Sequence, residues 1–391
     1  MTELAPAPTE PVEPPLAGVT VVEVGAFIAA PWATMHLADL GARVIKVETP
    51  GTGDFVRGNA PFVQGESSPF LRLNRNKESV ELDLKSEQGR AAFLELIGQA
   101  DVLVENLRPG AMRRLGLGYE DLATDHPRLV YASASGWGQD GPLAQQPGLD
   151  IMAQARSGLM SITGFPDSGP AKVGVPVCDL VSALYVALGV TAALRERDRS
   201  GRGQHLDVSL FESGVSLAVW EAGRYFGDGT VPERQGAAHQ SQAPYQAVVT
   251  ADGYVTIGAN TPNLWQRFCA ALGLDQLVGD PRFADNSGRM QHRTELIEAI
   301  EAVTSTRTSA EVIAVLQEAG VPCAPIQTYD EVFTDEALTA RDFLWDADHP
   351  TVGPVRQLGS PMRFSRTPTR RGNAGPPLGS SPAQPAIGGA Q

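Results

Sequence analysis

Leu16-Ala-Gly-Val-Thr-Val-Val-Glu-Val24, Pro31-Trp-Ala-Thr-Met-His-Leu-Ala-Asp-Leu40 and Gly41-Ala-Arg-Val-Ile-Lys-Val47 are the stretches that decide the fold. Val19–Val24 is β-branched and apolar, which predicts a buried strand. Pro31–Leu40 has its apolar residues at helical spacing. Gly41 punctuates, and Ala42–Val47 predicts a second buried strand. Strand–helix–strand is the signature of a parallel sheet, so the fold class is α/β. The pattern continues with a helix near Glu87–Ala100, strands at Asp101–Val104 and Leu129–Ser133, a helix around Asp150–Met160, a long helix from Leu180 and a strand at His205–Leu210.

Residues 16–215 thus form a large α/β domain. A linker and a small α+β domain occupy 216–326, with a hairpin at Tyr245–Ile257 that turns at Ala251-Asp252-Gly253. Helices follow at Thr261–Leu272, Arg293–Thr304 and Ser309–Ala319. Residues 327–370 complete the large domain, Val352–Phe364 having strand character. The acidic, proline-rich residues 1–15 and the Gly/Pro/Ser/Ala-rich 371–391 lack the apolar surface to offset their ordering entropy, and read as disordered tails.

Composition narrows the function. The formal charge is −14, from 31 Lys and Arg against 45 Asp and Glu. A phosphate backbone needs a basic face, so nucleic acid is excluded as a main partner. Cys178, Cys269 and Cys323 are too few and too scattered for a disulfide framework or a zinc site. No histidine pair has the spacing of a metal helix, and no metal is expected. The N-terminal stretch lacks the features of secretory or mitochondrial addresses, and the cytoplasm is the expected compartment. The longest apolar segment, Leu180–Leu194, has 15 residues; roughly 20 span a bilayer, so no membrane association is expected.

Gly136-Trp-Gly-Gln-Asp-Gly141 matches the dinucleotide pattern G-x-G-x-x-G, but Pro147-Gly148 would break the helix that pattern must open. These glycines read as a tight loop. No P-loop and no nucleophile elbow of a serine hydrolase occurs. Basic residues gather at Arg72, Arg75, Lys77 and Lys85, and again at Arg108, Arg113 and Arg114. They form either solvated faces or a site for phosphates. His239 lies in the polar stretch Gly236–Ser241, where it is a candidate for a cleft. Asp179 is the one charged group between Lys172 and Arg195, at the start of an apolar helix. It is either a helix cap or a carboxylate activated by burial.

At these residues the chain resembles the family III CoA-transferases, over Leu16 to about Phe364. The motifs that carry the likeness are Leu16-Ala-Gly-Val19, Pro31-Trp-Ala-Thr-Met35, Leu40-Gly-Ala-Arg-Val-Ile-Lys-Val-Glu48, Gly51-Thr-Gly-Asp54, Asn74-Arg-Asn-Lys77, Asp101-Val-Leu-Val-Glu-Asn106, Arg108-Pro-Gly110, Gly136-Trp-Gly-Gln139, Ser157-Gly-Leu-Met160, Asp179 and Ser200-Gly-Arg-Gly-Gln204. The resemblance implies a Rossmann-like large domain, two chains interlocked as rings, and coenzyme A esters and carboxylic acids as substrates with no permanently bound cofactor. By motif position Asp179 matches the nucleophile, and Leu82, Lys85, Asn106, Arg114 and Leu115 match the CoA site.

Departures from the family pattern bear on the acid. Oxalate-using members often carry Gln after the residue matching Phe27, where this chain has Ile28, and a Tyr where it has Leu149. The glycine-rich lid of the formyl-CoA enzymes has no counterpart near Ala237–Pro244. These differences point away from oxalate. The racemase branch has a His before the residue matching Asp150, and Leu149 removes that half of the acid–base pair. Gly138–Pro142 and Ser157–Gly164 look closest to the succinate–hydroxymethylglutarate group, implying a dicarboxylate. Ile28, Leu149, Asp150 and His239 are the candidate residues for the acid. An acyl-CoA racemase or epimerase, and a non-catalytic acyl-CoA-binding protein, are the alternatives.

Overall fold

The computed structural model describes residues 12–382. The chain divides into two compact units: Met1–Leu159, Lys172–Gly223 and Glu336–Gln391 form the first, Met160–Ala171 and Arg224–Asp335 the second.

The first unit is built on six parallel strands: β1 (Thr20–Val24), β2 (Arg43–Glu48), β3 (Lys77–Glu81), β4 (Val102–Glu105), β5 (Val130–Ser135) and β6 (His205–Ser209), in the order β3-β2-β1-β4-β5-β6. Val21 pairs with Val44 on one side and Val102 on the other. The chain walks outward from β1 to β3, then returns to the opposite side of β1. That reversal makes the C-terminal ends of β1 and β4 the topological switch point, where open α/β sheets bind ligands.

Both faces of the sheet are covered. Helices α1 (Ala29–Asp39) and α4 (Val177–Ser200) bury Ala33, Leu37, Val186 and Val190 against Val21, Val44, Val102 and Ala132. Helix α2 (Glu87–Ile97) buries Phe93, Leu96 and Ile97 against Val22, Ile45 and Leu103. Burial on two faces explains why Val19–Val24 is a run rather than an alternation.

Helix α4 is longer than its apolar stretch implies. It begins at Val177 and has 24 residues, enough to cross a membrane by length and composition. Its Ala183, Val186, Val190 and Leu194 side chains are nevertheless buried in the core beneath the sheet. Strand β3 is absent from the sequence reading because Lys77-Glu-Ser-Val-Glu81 is polar. A buried ionic cluster explains its place. Lys77 Nζ donates to Glu23 Oε2 (2.7 Å), and Lys46 Nζ to Glu23 Oε1 (2.6 Å). Burial alone would raise the Glu23 pKa, but the two lysines hold it down to about 2.

The C-terminal segment differs from expectation as well. Residues 371–382 are not a free tail. Ala374 is buried with Leu71 and Trp345, Asn76 donates its backbone N–H to Asn373 O (2.9 Å), and Ser381 donates to Ser79 O (3.0 Å). The segment thereby lines the open edge of β3. Residues 1–11 and 383–391 of the expected tails lie outside the described residues. The strand character near Val352 belongs to a separate two-stranded hairpin, Leu344–His349 with Gly353–Leu358, rather than to the large sheet.

The second unit has a three-stranded antiparallel sheet, Cys323–Pro325, Gly253–Gly258 and Tyr245–Thr250 in that order. Helices Pro262–Leu272, Arg293–Thr304 and Ser309–Glu318 bury Trp265, Phe268, Leu296, Ile300 and Leu316 against it.

Candidate active site

A cavity of about 450 Å³ opens at the C-terminal end of the parallel sheet. Phe27 and Ala29 from the turn after β1, Asn106 after β4, Gly136 after β5 and Leu210 after β6 contribute to its wall. Leu149 and Asp150 at the start of helix α3 (Asp150–Arg156) complete it together with Lys172, Pro176 and Asp179.

Asp179 is the third residue of α4. Pro176, at the cap position, provides no side-chain acceptor. Asp150 fills that role from another helix: its Oδ1 accepts the N–H of Cys178 (2.9 Å) and of Asp179 (3.3 Å). The first-turn donors are thus satisfied without the Asp179 carboxylate. Of the two sequence readings, the cap is excluded by geometry. Burial raises the Asp179 carboxyl to about 7, and the Asp150 charge adds to the rise. A carboxylate that titrates near neutrality in an apolar-walled cavity is poorly hydrated and reactive when ionised.

Asp150 is itself fixed. Gln154, one helical turn on, donates Nε2 to Asp150 Oδ2 (2.6 Å), and its Oε1 accepts the Val173 N–H (2.9 Å). One amide therefore joins Asp150 to the loop that leads into α4.

The opposite wall is a turn held by buried polar groups. Asn106 brackets Ala26, accepting its N–H at Oδ1 (3.0 Å) and donating Nδ2 to its carbonyl (2.8 Å). Lys46 Nζ, ion-paired with Glu23 and Asp54, donates to Gly25 O (2.8 Å). Asp54 Oδ1 accepts the Phe27 N–H (3.3 Å). Phe27 sits at φ 63°, a left-handed conformation uncommon for a bulky residue, and stacks on Phe55 at 5.0 Å. Gly25 tolerates no side chain: a Cβ there would lie 2.7 Å from Ala30 Cβ and 2.8 Å from Asn106 Oδ1.

Asn106, Leu149, Asp150 and Asp179 all line this cavity. Ile28 is outside the set of lining residues, its two neighbours Phe27 and Ala29 taking that place. Leu82 is buried where β3 ends, and Lys85 is exposed just beyond. Arg114 is exposed and Leu115 half-buried at the end of the short helix Ala111–Arg114. These four do not line the cavity but follow the same C-terminal strand ends. His239 belongs to the second unit, where it stacks on Tyr245 at 4.9 Å and its Nδ1 accepts the Ser241 N–H (3.2 Å). No helix opens at Gly136–Gly141; Gly136 and Gly148 cross so closely that a Cβ on Gly136 would lie 2.9 Å from Gly148 Cα. Two N–H groups of this tight loop are taken within the fold: Gly138 donates to Ser135 Oγ and Gln139 to Asp207 Oδ2.

The sequence model described as CoA-transferase family III matches residues 16–381. The chain belongs to the family III CoA-transferases. It is 37% identical to the succinyl-CoA:glutarate CoA-transferase of Mus musculus, over 93% of this chain and 84% of the relative. It is 39% identical to the acetyl-CoA:oxalate CoA-transferase of Acetobacter aceti, over 93% and 92% respectively. Among solved structures, a CAIB/BAIF family protein from Brucella suis superposes with a TM-score of 0.84 at 36% identity, over 94% of this chain and 97% of that one. This family III CoA-transferase is therefore an enzyme of the transferase class whose substrates are coenzyme A thioesters and carboxylic acids.

Proposed function

We propose that Asp179 is the nucleophile of a CoA exchange between two carboxylic acids, succinyl-CoA serving as donor and a dicarboxylate as acceptor. The observation that supports it is the state of Asp179: enclosed, released from capping and raised to about 7. Its carboxylate attacks the donor thioester carbonyl and expels CoA thiolate, leaving a mixed anhydride. The thiolate attacks the Asp179 carbonyl, releases the donor acid and forms an aspartyl-CoA thioester. The acceptor carboxylate attacks that thioester, giving a second anhydride and free thiolate. The thiolate then takes the acceptor acyl group and returns Asp179 as carboxylate. Each bond broken is replaced by one of similar energy, so no ATP or resident cofactor is required.

Asn106 lines the reacting cavity, and Leu82, Lys85, Arg114 and Leu115 take the nucleotide and pantetheine of CoA. Exposed Lys85 and Arg114 suit the phosphates. Leu149 rather than an imidazole beside Asp150 disfavours proton removal next to the thioester, and so a racemase. The exposed apolar face of α4, Leu184, Tyr185 and Leu188, together with Val215 and Val219, supports burial against a second copy of the chain in a homodimer. Three unpaired thiols suit a reducing cytoplasm.

The test is a panel of acyl-CoA donors crossed with free acids, read by mass spectrometry, with hydroxylamine added in a parallel arm. Transfer, and a hydroxamate on the Asp179 peptide, is the expected outcome. Acyl-CoA binding with neither transfer nor adduct would leave a non-catalytic acyl-CoA-binding protein.

A further inference from the structure

An acid that reaches Asp179 is an anion approaching anions. Asp179 and Asp150 both face the cavity, and a dicarboxylate brings two more negative charges. The usual refuge for an anion here, the N-terminus of a long helix, is occupied: Asp150 already takes the N–H groups of Cys178 and Asp179. Phe27, Leu149, Ile151 and Leu210 offer only apolar wall. Among the described residues that line the cavity, Lys172 is the one cation.

Lys172 is also placed for a ligand rather than for the fold. Its Nζ donates to two backbone carbonyls, Val173 O (3.1 Å) and Gly174 O (3.5 Å), and makes no ion pair among the described residues. An ammonium has three N–H groups, so one is left over with the full charge. The adjoining backbone is not loose. Val173 N–H is held by Gln154, whose other end holds Asp150, which in turn holds the backbone of Asp179. The cation and the nucleophile are thereby tied to one three-residue relay.

We infer that Lys172 forms the subsite for the distal carboxylate, the one that does not react, of a dicarboxylic acid bound beside Asp179. The inference rests on the CoA exchange proposed above. Because donor and acceptor acyl groups use the same position in turn, one subsite serves both. An acceptor without a second carboxylate leaves the ammonium unpaired and loses a charge-assisted hydrogen bond, worth roughly 10- to 100-fold in kcat/KM.

The experiment holds one acyl-CoA donor saturating and compares straight-chain dicarboxylic acids with their own monoamides, which keep length and shape but lose the distal charge. Wild type should prefer the diacid, Lys172→Arg should keep most of that preference, and Lys172→Met should lose it by at least about tenfold. An unchanged preference in Lys172→Met, with the wild type active, overturns the subsite and leaves the CoA exchange standing. So does an equal loss on diacid and monoamide, which would place Lys172 on CoA. Wild-type enzyme that transfers CoA to no acid overturns the exchange, and the subsite with it.

Discussion

Asp150 Oδ1 lies 3.3 Å from the backbone nitrogen of Asp179 and accepts its proton, so one carboxylate holds the helix end on which the other is displayed. The two acids divide work that a single N-terminal Asp often does alone. The cost of the arrangement is like-charge repulsion, which adds to burial in raising Asp179.

Asp179→Asn separates chemistry from stability. The amide cannot form the anhydride, and turnover is expected to fall by at least about 10³-fold. The fold should gain. Asp179 is raised from 3.8 to about 7, so above pH 7 the native state carries the full penalty of an unfavourable charge. That penalty fades as pH falls from 7 towards 3.8, where the group is protonated in both states. The variant should be more stable than wild type by about 1–3 kcal/mol at pH 8 and indistinguishable near pH 4, by denaturant unfolding at both pH values. A loss of stability at pH 8 would contradict the environment described.

The same group sets a pH profile. The ionised form reacts, so kcat/KM should rise through an inflection near pH 7 and level off above it. Glu105 is a second carboxyl that burial raises to about 7, on the adjacent strand end. Glu105→Gln should leave the inflection in place. Its disappearance would transfer the titration from Asp179 to Glu105.

Asp150→Asn keeps an oxygen for the helix N–H groups but removes the charge that adds to the Asp179 shift. The kcat/KM inflection should move to lower pH. Asp150→Ala should make the same move and lose the cap as well, lowering stability by about 1–2 kcal/mol. If both variants keep the wild-type inflection, the repulsion between the two acids is too weak to matter.

Arg114→Ala tests the site for CoA. With the guanidinium on a phosphate, KM for every acyl-CoA should rise on the order of 10-fold or more, and kcat should hold. Unchanged KM across all esters would return Arg114 to the solvent-exposed surface.

Much of this was legible in the chain. Val19–Val24 and Leu129–Ser133 announce buried strands because apolar side chains face both layers of helix. Lys77–Glu81 does not, because its burial depends on Glu23 and Lys46, partners that only the fold brings near. Asp179 stood out as a lone charge in an apolar run. Its release from capping did not, since the substitute cap is Asp150, 29 residues away. Phe27 and Gln154 carried no local signal either: one matters through a backbone angle, the other through two hydrogen bonds that close in space.

The backbone contacts from Asn373 and Ser381 to the β3 side of the large sheet have a consequence for how the molecule is made. An unpaired strand edge invites pairing with another chain, and here the guard over that edge, Asn373 and Ser381, is synthesised long after the strand it covers, Lys77–Glu81. A nascent chain therefore carries an otherwise complete sheet with one unprotected border until residues 371–382 have been made. Chains truncated after residue 370 would keep every residue of the cavity and still stay in that vulnerable state, so their failure would appear as aggregation during expression rather than as loss of chemistry.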